Sequence, residues 1–393
     1  MKILSVNAGS SSLKFTLIEL PSNNKLISGY FEKIGIGNSF YTIKINGEKL
    51  IRQVDLKDHK IAVDYLIEEL ISNKVIKSLD EIDGVGHRIV HGADKYSKSV
   101  LLNESILEDI ASFNELAPLH NPANLIGVKA FMEALPTTPM VGVFDTAFHQ
   151  SMDETSYIYA TPYEWYQKYK VRKYGFHGTS HRFINKTISE YLQKDDLKVI
   201  SCHIGSGASL AAIDSGKVID TSMGFTPTPG VVMGTRAGDI DVSIIPYIMK
   251  KENKTIDEVM NDLNKKSGLL GISGISSDAR DIQMAIEKNN HQAILAFDIY
   301  TQKVANYIAM YNNLLNGADV ICFTAGLGEM SRPFRKGIVE KIKSLGVTLD
   351  EVKNEETLGT FGLISTQDSK IPVYVVPTDE ELMIALDTYE LIS

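Results

Sequence analysis

One pattern, used twice, constrains this chain more than any other feature. Near the start, "SVNAGSSSLKFTLIE" sets a loop of small residues between two apolar runs. Near residue 200, "SCHIGSGASLAAIDSGKVID" does the same, with Leu13 matching Leu210, Ser12 matching Ser209 and one residue of slip before that. After Lys14 the residues are β-branched, aromatic and alternating, which favours strand over helix. The loop therefore joins two antiparallel strands. A P-loop instead needs glycine before its lysine and a helix after it. Here Leu13 precedes Lys14 and Phe15 follows. At such a hairpin tip, Asn7, Ser10, Ser12 and backbone N–H groups could surround a phosphate or its metal. A plain Ser/Gly turn explains one such loop equally well. Two in matching contexts point to an ancient duplication with a ligand in the cleft between the halves.

Apolar strand-like runs ("KILSV", "GVGHRIV", "MVGVFD", "KVISCHI", "DVICFT", "IPVYVV") alternate with helical patterns, which argues for an α/β protein. The longest helical pattern spans 279–315, with a break expected at Asn289 and Asn290. Thr378 is the expected N-cap of a helix in "TDEELMIALDTYELI". The 393 residues suffice for two or three domains. A net charge of −9 argues against a non-specific nucleic-acid binder, and anionic ligands would need cations gathered locally. No run approaches the ~18 apolar residues of a membrane span. "KILSV" is too short for a signal-peptide core, so a cytoplasmic protein is expected. Cys202 and Cys322 sit in apolar strand runs and read as inert core thiols.

The second loop, His203, Ile204, Gly205, Ser206 and Gly207, has glycines that let backbone approach an oxyanion. A third stretch, "FTAGLGEMSRPFRKG", reads as strand, glycine loop and then a helix near Ser331 with Pro333 in its first turn. That order suits the nucleoside side of a nucleotide, or a tight connection alone. Three arginines stand out. Arg88 ends an apolar strand, Arg236 lies in a glycine-bracketed loop beside Asp239 and Asp241, and Arg280 sits between Asp278 and Asp281. Guanidinium groups match carboxylate and phosphate oxygens bidentately. Each could instead make a structural ion pair. Histidines gather in "YGFHGTSH" (His177, His181) and "PLHNPAN" (His120), without zinc-site spacing. Asp145 ends a strand, a position that often faces a ligand crevice.

Eight segments in order, "NAGSSSLKF", "HRIVHG", "PLHNPAN", "FDTAFHQ", "YGFHGTSH", "GTRAGDID", "TAGLGE" and "PTDEELMIA", resemble the acetokinase family across essentially the whole chain. The resemblance implies duplicated ribonuclease-H-like domains of the actin/Hsp70/sugar-kinase arrangement, with a nucleotide cleft between them. It places an N-terminal domain at 1–147 plus 378–393 and a nucleotide-binding domain at 148–377. It implies a homodimer and the Mg²⁺-dependent reaction ATP + acetate ⇌ ADP + acetyl phosphate, with Mn²⁺ as a substitute metal. Asn7 and Glu380 would hold the metal, with Glu380 its main anionic partner. Ser10, Ser12 and Lys14 would line the first phosphate loop, and His203, Ile204, Gly205, Ser206 and Gly207 the second. Asp278, Ala279, Arg280, Gly326, Leu327 and Gly328 would hold the nucleoside. Arg88 and Arg236 would bind acetate and the transferring phosphoryl group, and His177 would donate to that group. Val90, Leu119, Phe176 and Pro227 would enclose the acetate methyl. Ser206 and Ala279 depart from the family's usual Asn and Phe, which bears on nucleotide preference. Acetate is already ionised at neutral pH and needs no general base, so Asp145 is expected to orient its neighbours. The alternatives are the same chemistry on propionate or butyrate, and a non-enzymatic nucleotide switch of the actin/Hsp70 type.

Overall fold

The computed structural model describes residues 1–118 and 120–393, so the expectation for Leu119 lies outside the described residues. The chain divides into two compact units, Met1–Phe148 with Asp379–Ser393, and His149–Thr378.

In the first unit the strands are β1 (Lys2–Gly9), β2 (Ser12–Glu19), β3 (Asn24–Glu32), β4 (Phe40–Ile45), β5 (Glu48–Gln53), β6 (Gly84–Ile89), β7 (Val100–Leu101) and β8 (Met140–Phe144). They form one sheet in the order β5-β4-β3-β2-β1-β6-β8-β7. Alternation along β1 divides its side chains between two faces. Leu4 and Val6 join Leu13, Phe15 and Leu17 in the main core, against Val63, Leu66 and Phe131 from the helices His59–Ser72 and Asn121–Ala134. Ile3 and Ile18 pack on the opposite face against Ala385 of the helix Glu380–Ile392. That helix also meets Val141 and Val143 through Ile384. It lies close because β6 offers glycines on this face. A Cβ on Gly84 would stand 2.6 Å from Ile392, and one on Gly86 2.3 Å from Thr388.

In the second unit the strands are β9 (Lys198–Ile204), β10 (Ala208–Asp214), β11 (Lys217–Thr221), β12 (Val320–Thr324), β13 (Gly362–Leu363) and β14 (Val373–Val375). Their order is β11-β10-β9-β12-β14-β13. Strand for strand this repeats β3-β2-β1-β6-β8-β7. In both sheets an antiparallel hairpin leads into three adjacent parallel strands, and a short antiparallel strand closes the edge. The duplication expected from two loops thus extends to six strands, and β4 and β5 are additions to the first unit. Cys202 and Cys322 are buried and free.

The long helical stretch breaks where expected. Asn290 caps the helix His291–Leu314 by accepting from Ala293 N–H at 3.0 Å. Two local expectations fail. The N-cap of the helix Glu380–Ile392 is Asp379, which accepts from Leu382 N–H at 3.1 Å. Thr378 instead gives its N–H to Glu329, at 3.0 Å. The glycine stretch after β12 is itself a short helix, Ala325–Met330, ahead of the expected helix Arg332–Lys341. Glycine is a poor helix former, and side-chain bonds to the backbone supply what propensity lacks. Glu329 accepts from Ala325 N–H at 2.8 Å, and the buried Arg335 donates to the carbonyls of Gly328 and Glu329 at 3.0 and 2.8 Å. No helix among the described residues is long and apolar enough to cross a membrane.

Candidate active site

In the first unit, three polar residues stand in a row at the carboxyl ends of adjacent parallel strands. They are Asn7 on β1, Arg88 on β6 and Asp145 just beyond β8. This is the edge where open α/β sheets place ligands. Arg88 lies fork-on against Asp145, with Nε 3.0 and 3.1 Å from the two carboxylate oxygens and Nη2 2.5 Å from Oδ2. Asp145 is 1 % exposed, and the Arg88 side chain reaches solvent. Burial opposes the arginine's charge, but the attraction and hydrogen bonds of Asp145 outweigh it and raise its pKa. Asp145 thus holds the Arg88 guanidinium in one orientation. Its carboxylate occupies the Nε–Nη2 edge and leaves Nη1 without a hydrogen bond among the described residues.

The first turn of the helix Glu380–Ile392 brings two more acids to the same edge. Glu381 pairs with Lys14. Burial works against its charge, but Lys14 more than compensates and keeps the carboxyl below its ordinary range. Glu380 has no ion-pair partner among the described residues. Burial pushes its pKa up to about 7; Arg88 opposes the rise, and Asp145 and Glu381 add to it. Lys14, expected to be available to phosphate, is therefore engaged with a carboxylate. Ser10 and Ser12 are exposed at the hairpin tip, where Gly9 pairs with Ser12. A Cβ on Gly9 would sit 2.8 Å from the Ser12 hydroxyl, so this glycine lets that hydroxyl fold over the turn.

The segment after β6 is fixed by the "HNPAN" motif. Asn124 accepts from Val90 N–H at 3.0 Å and donates to Ala8 O at 2.7 Å. Asn121 accepts from His91 N–H at 3.1 Å and returns a bond to His91 O at 3.0 Å. The sequence marks this motif by His120 and Asn121, and in the structure Asn121 and Asn124 fasten the segment after β6. Val90 itself is buried.

In the second unit, Gly207, His177 and Arg236 converge. A Cβ on Gly207 would lie 3.3 Å from Arg236 Nη1 and 3.5 Å from the His177 ring. His177 precedes the helix Gly178–Leu192 with a left-handed backbone (φ 58°) and stacks on His203 with ring centroids 4.1 Å apart. Its Nδ1 is 2.9 Å from the Ser209 hydroxyl, which also lies 2.8 Å from His181 Nε2. Burial, with His149 and His203 nearby, drives the His181 pKa well down. Arg236 is half-buried and has no acidic partner among the described residues. Its Nη1 reaches only Pro227 O at 3.3 Å and Met233 Sδ at 3.5 Å. Burial lowers its pKa. Phe176 is buried and its carbonyl lies 2.9 Å from His149 Nε2.

A cleft of about 740 Å³ in this unit is lined by Gly205, Ser206, Asp278, Ala279, Arg280, Gly326 and Leu327, seven of the expected nucleotide residues. Ile204 and Gly328 are not in its lining. Ile204 is 1 % exposed within β9, and Gly328 packs against the backbone of Phe323. Nor are His203 and Gly207, which belong with the histidine stack. Gly234, Leu269, Ser277, Gln283, Met330, Ser331, Arg332, Pro333 and Leu358 complete the lining. Gln283 could have been found from helical spacing, because it lies one turn beyond Ala279. Asp278 caps the helix Ala279–Glu287, and hydrogen bonds from Arg280 hold its carboxyl down at about 2.

Among the described residues, no three His, Cys, Asp or Glu side chains are grouped to hold a metal ion. Mg²⁺ does not need such a cage, since it keeps several waters and takes one or two carboxylates with substrate phosphates. Glu380, without an ion-pair partner among the described residues and at the same strand edge as Asn7, suits that mode.

The comparisons agree along the full length. The chain is 52 % identical over 392 residues to the acetate kinase of Bacillus subtilis (strain 168), covering 99 % of each chain. It superposes on the crystal structure of Porphyromonas gingivalis acetate kinase with a TM-score of 0.96 at 44 % identity, covering 100 % of both. A propionate kinase structure from Francisella tularensis gives 0.94 at 40 % identity, with 99 % of both covered. Residues 2–386 match the Acetokinase family. The chain belongs to that family.

Proposed function

We propose that the protein is a phosphotransferase that moves the γ-phosphoryl group of ATP to acetate, reversibly, giving acetyl phosphate and ADP. The observation that carries this reading is Arg236. It is a half-buried cation without an acid, beside His177 and a glycine loop, in the unit that holds the nucleotide-sized cleft. In-line transfer spreads charge over three equatorial oxygens, so catalysis rests on positioning and charge stabilisation. Arg236 and His177 meet that charge. Arg88, aimed by Asp145, binds the carboxylate through its open Nη1 edge. Val90, Phe176 and Pro227 supply apolar surface for the methyl group. Gly205, Ser206, Asp278, Ala279, Arg280, Gly326 and Leu327 hold the nucleotide, and Ser10 and Ser12 serve its phosphates, with Lys14 held beside them by Glu381. Asn7 and Glu380 would hold Mg²⁺, whose charge offsets that of the phosphates. The attacking carboxylate brings its own electron pair, so no residue needs to take a proton.

We read the protein as a cytoplasmic homodimer. The exposed apolar residues Val242, Ile244 and Tyr247 support self-association. Incubation with ATP, Mg²⁺ and acetate followed by hydroxylamine should yield acetyl hydroxamate. ATP consumption without hydroxamate would overturn the assignment. Propionate and butyrate run alongside set the chain-length preference, where a methylene is worth about 1–3 kcal/mol.

A further inference from the structure

Three carbonyls at the first loop, those of Ala8, Gly9 and Ser11, meet donors from outside the β1–β2 hairpin. Ala8 O accepts from Asn124 Nδ2 at 2.7 Å, and Ser11 O accepts from Ile34 N–H at 3.0 Å. Gly9 O lies 2.7 Å from Nε2 of His59. His59 is 5 % exposed and opens the helix His59–Ser72 behind the hairpin. A carbonyl only accepts, so this nitrogen carries the proton. The N–H groups of Ser10 and Ser11 make no hydrogen bond among the described residues. A peptide unit whose C=O is pinned one way must point its N–H the other way, because the unit is planar and trans. The Gly9 carbonyl and the Ser10 N–H belong to one such unit. Successive outward N–H groups form an anion-binding concavity.

We infer that His59 is a positioning residue for this loop. It touches no substrate, and it fixes the Gly9–Ser10 peptide so that the Ser10 N–H faces the nucleotide phosphates. Asn124 anchors the neighbouring Ala8 carbonyl, and with it the strand end that carries the loop. The inference rests on reading the loop as a phosphate loop. A merely structural histidine would affect stability alone; a positioning one affects the loop's ligand.

Steady-state kinetics in both substrates separate these. His59→Phe keeps a ring of similar shape and loses the donor. It should raise the KM for MgATP about tenfold, the scale of one lost hydrogen bond, with the KM for acetate within twofold. His59→Gln, which keeps a donor, should recover most of that loss. Asn124→Asp keeps the acceptor for Val90 N–H and removes the donor to Ala8 O, so it should raise the same KM even if His59→Phe does not fold. Ser12→Ala probes the loop directly. A raised MgATP KM in Ser12→Ala with native values in folded His59→Phe and in Asn124→Asp overturns the role of His59 and Asn124. Native values in all three, Ser12→Ala included, overturn the loop reading itself and this inference with it.

Discussion

Arg88 lies against a buried carboxylate with contacts of 2.5–3.1 Å, whereas Arg236 reaches only a carbonyl and a thioether. The two belong to units with the same six-strand order, yet their charges are managed in opposite ways. Arg88 is neutralised in advance and its fork is held in one direction. Arg236 keeps an uncompensated charge in a partly buried place, which an incoming anion relieves. The first arrangement selects geometry, and the second supplies attraction. On the proposed function, the first meets the acceptor carboxylate and the second the group that moves.

Removing each arginine tests the contrast most severely. Arg88→Ala and Arg236→Ala should each lower kcat by about 10³-fold or more. Their effects on stability should diverge. Arg88→Ala leaves Asp145 buried and unpaired, at a cost of about 3 kcal/mol in denaturant unfolding. Arg236→Ala removes a lone charge and should stay within about 1 kcal/mol of the parent. Equal destabilisation of the two would erase the distinction.

The glycines of the two loops offer a gentler comparison. A Cβ at Gly207 would press on Arg236 Nη1 and lie in contact with the His177 ring, whereas one at Gly9 would meet a serine hydroxyl that can turn away. Gly207→Ala should cost about 10–100-fold in kcat, in line with the penalty for sub-ångström misplacement of catalytic groups. Gly9→Ala should cost less than tenfold, and a reversed order would break the argument.

The smallest effect concerns Glu380, a buried acid without an ion-pair partner among the described residues. Its pKa is raised to about 7, so it holds a proton below that pH, and a metal must displace it. The Mg²⁺ concentration giving half-maximal rate should be flat above pH 7 and rise up to about tenfold per unit below it. Glu380→Gln should need more Mg²⁺ at every pH and lose the slope. A slope that persists in that variant assigns the proton elsewhere.

Much of this was legible in the chain. Strands showed in the alternation, and the residues with distinctive chemistry were visible by type and spacing. Partnerships were less so. Asp239 and Asp241 stand beside Arg236 in sequence, yet Asp239 accepts from Gly230 N–H and the Tyr307 hydroxyl, and Asp241 from Ser243 N–H. A loop's fold, not its spelling, decides which neighbour a side chain meets. The same holds for Lys14, whose partner Glu381 comes from the other end of the sequence. His59 and Asn124 went unnoticed because they act on backbone carbonyls, and every residue has one of those. The helix over Ala325–Met330 was hidden because its stability comes from Glu329 and Arg335, not from propensity.

The helix Glu380–Ile392 covers one face of the first sheet, yet the whole of the second unit separates it from Phe148 along the chain. On the ribosome, the first unit to emerge is therefore the last to be completed. Until this helix arrives, Ile3, Ile18, Val141 and Val143 lack their cover, and Glu380 is missing from the site. A chain interrupted before this helix is made leaves one face of its first sheet uncovered, however complete its second unit.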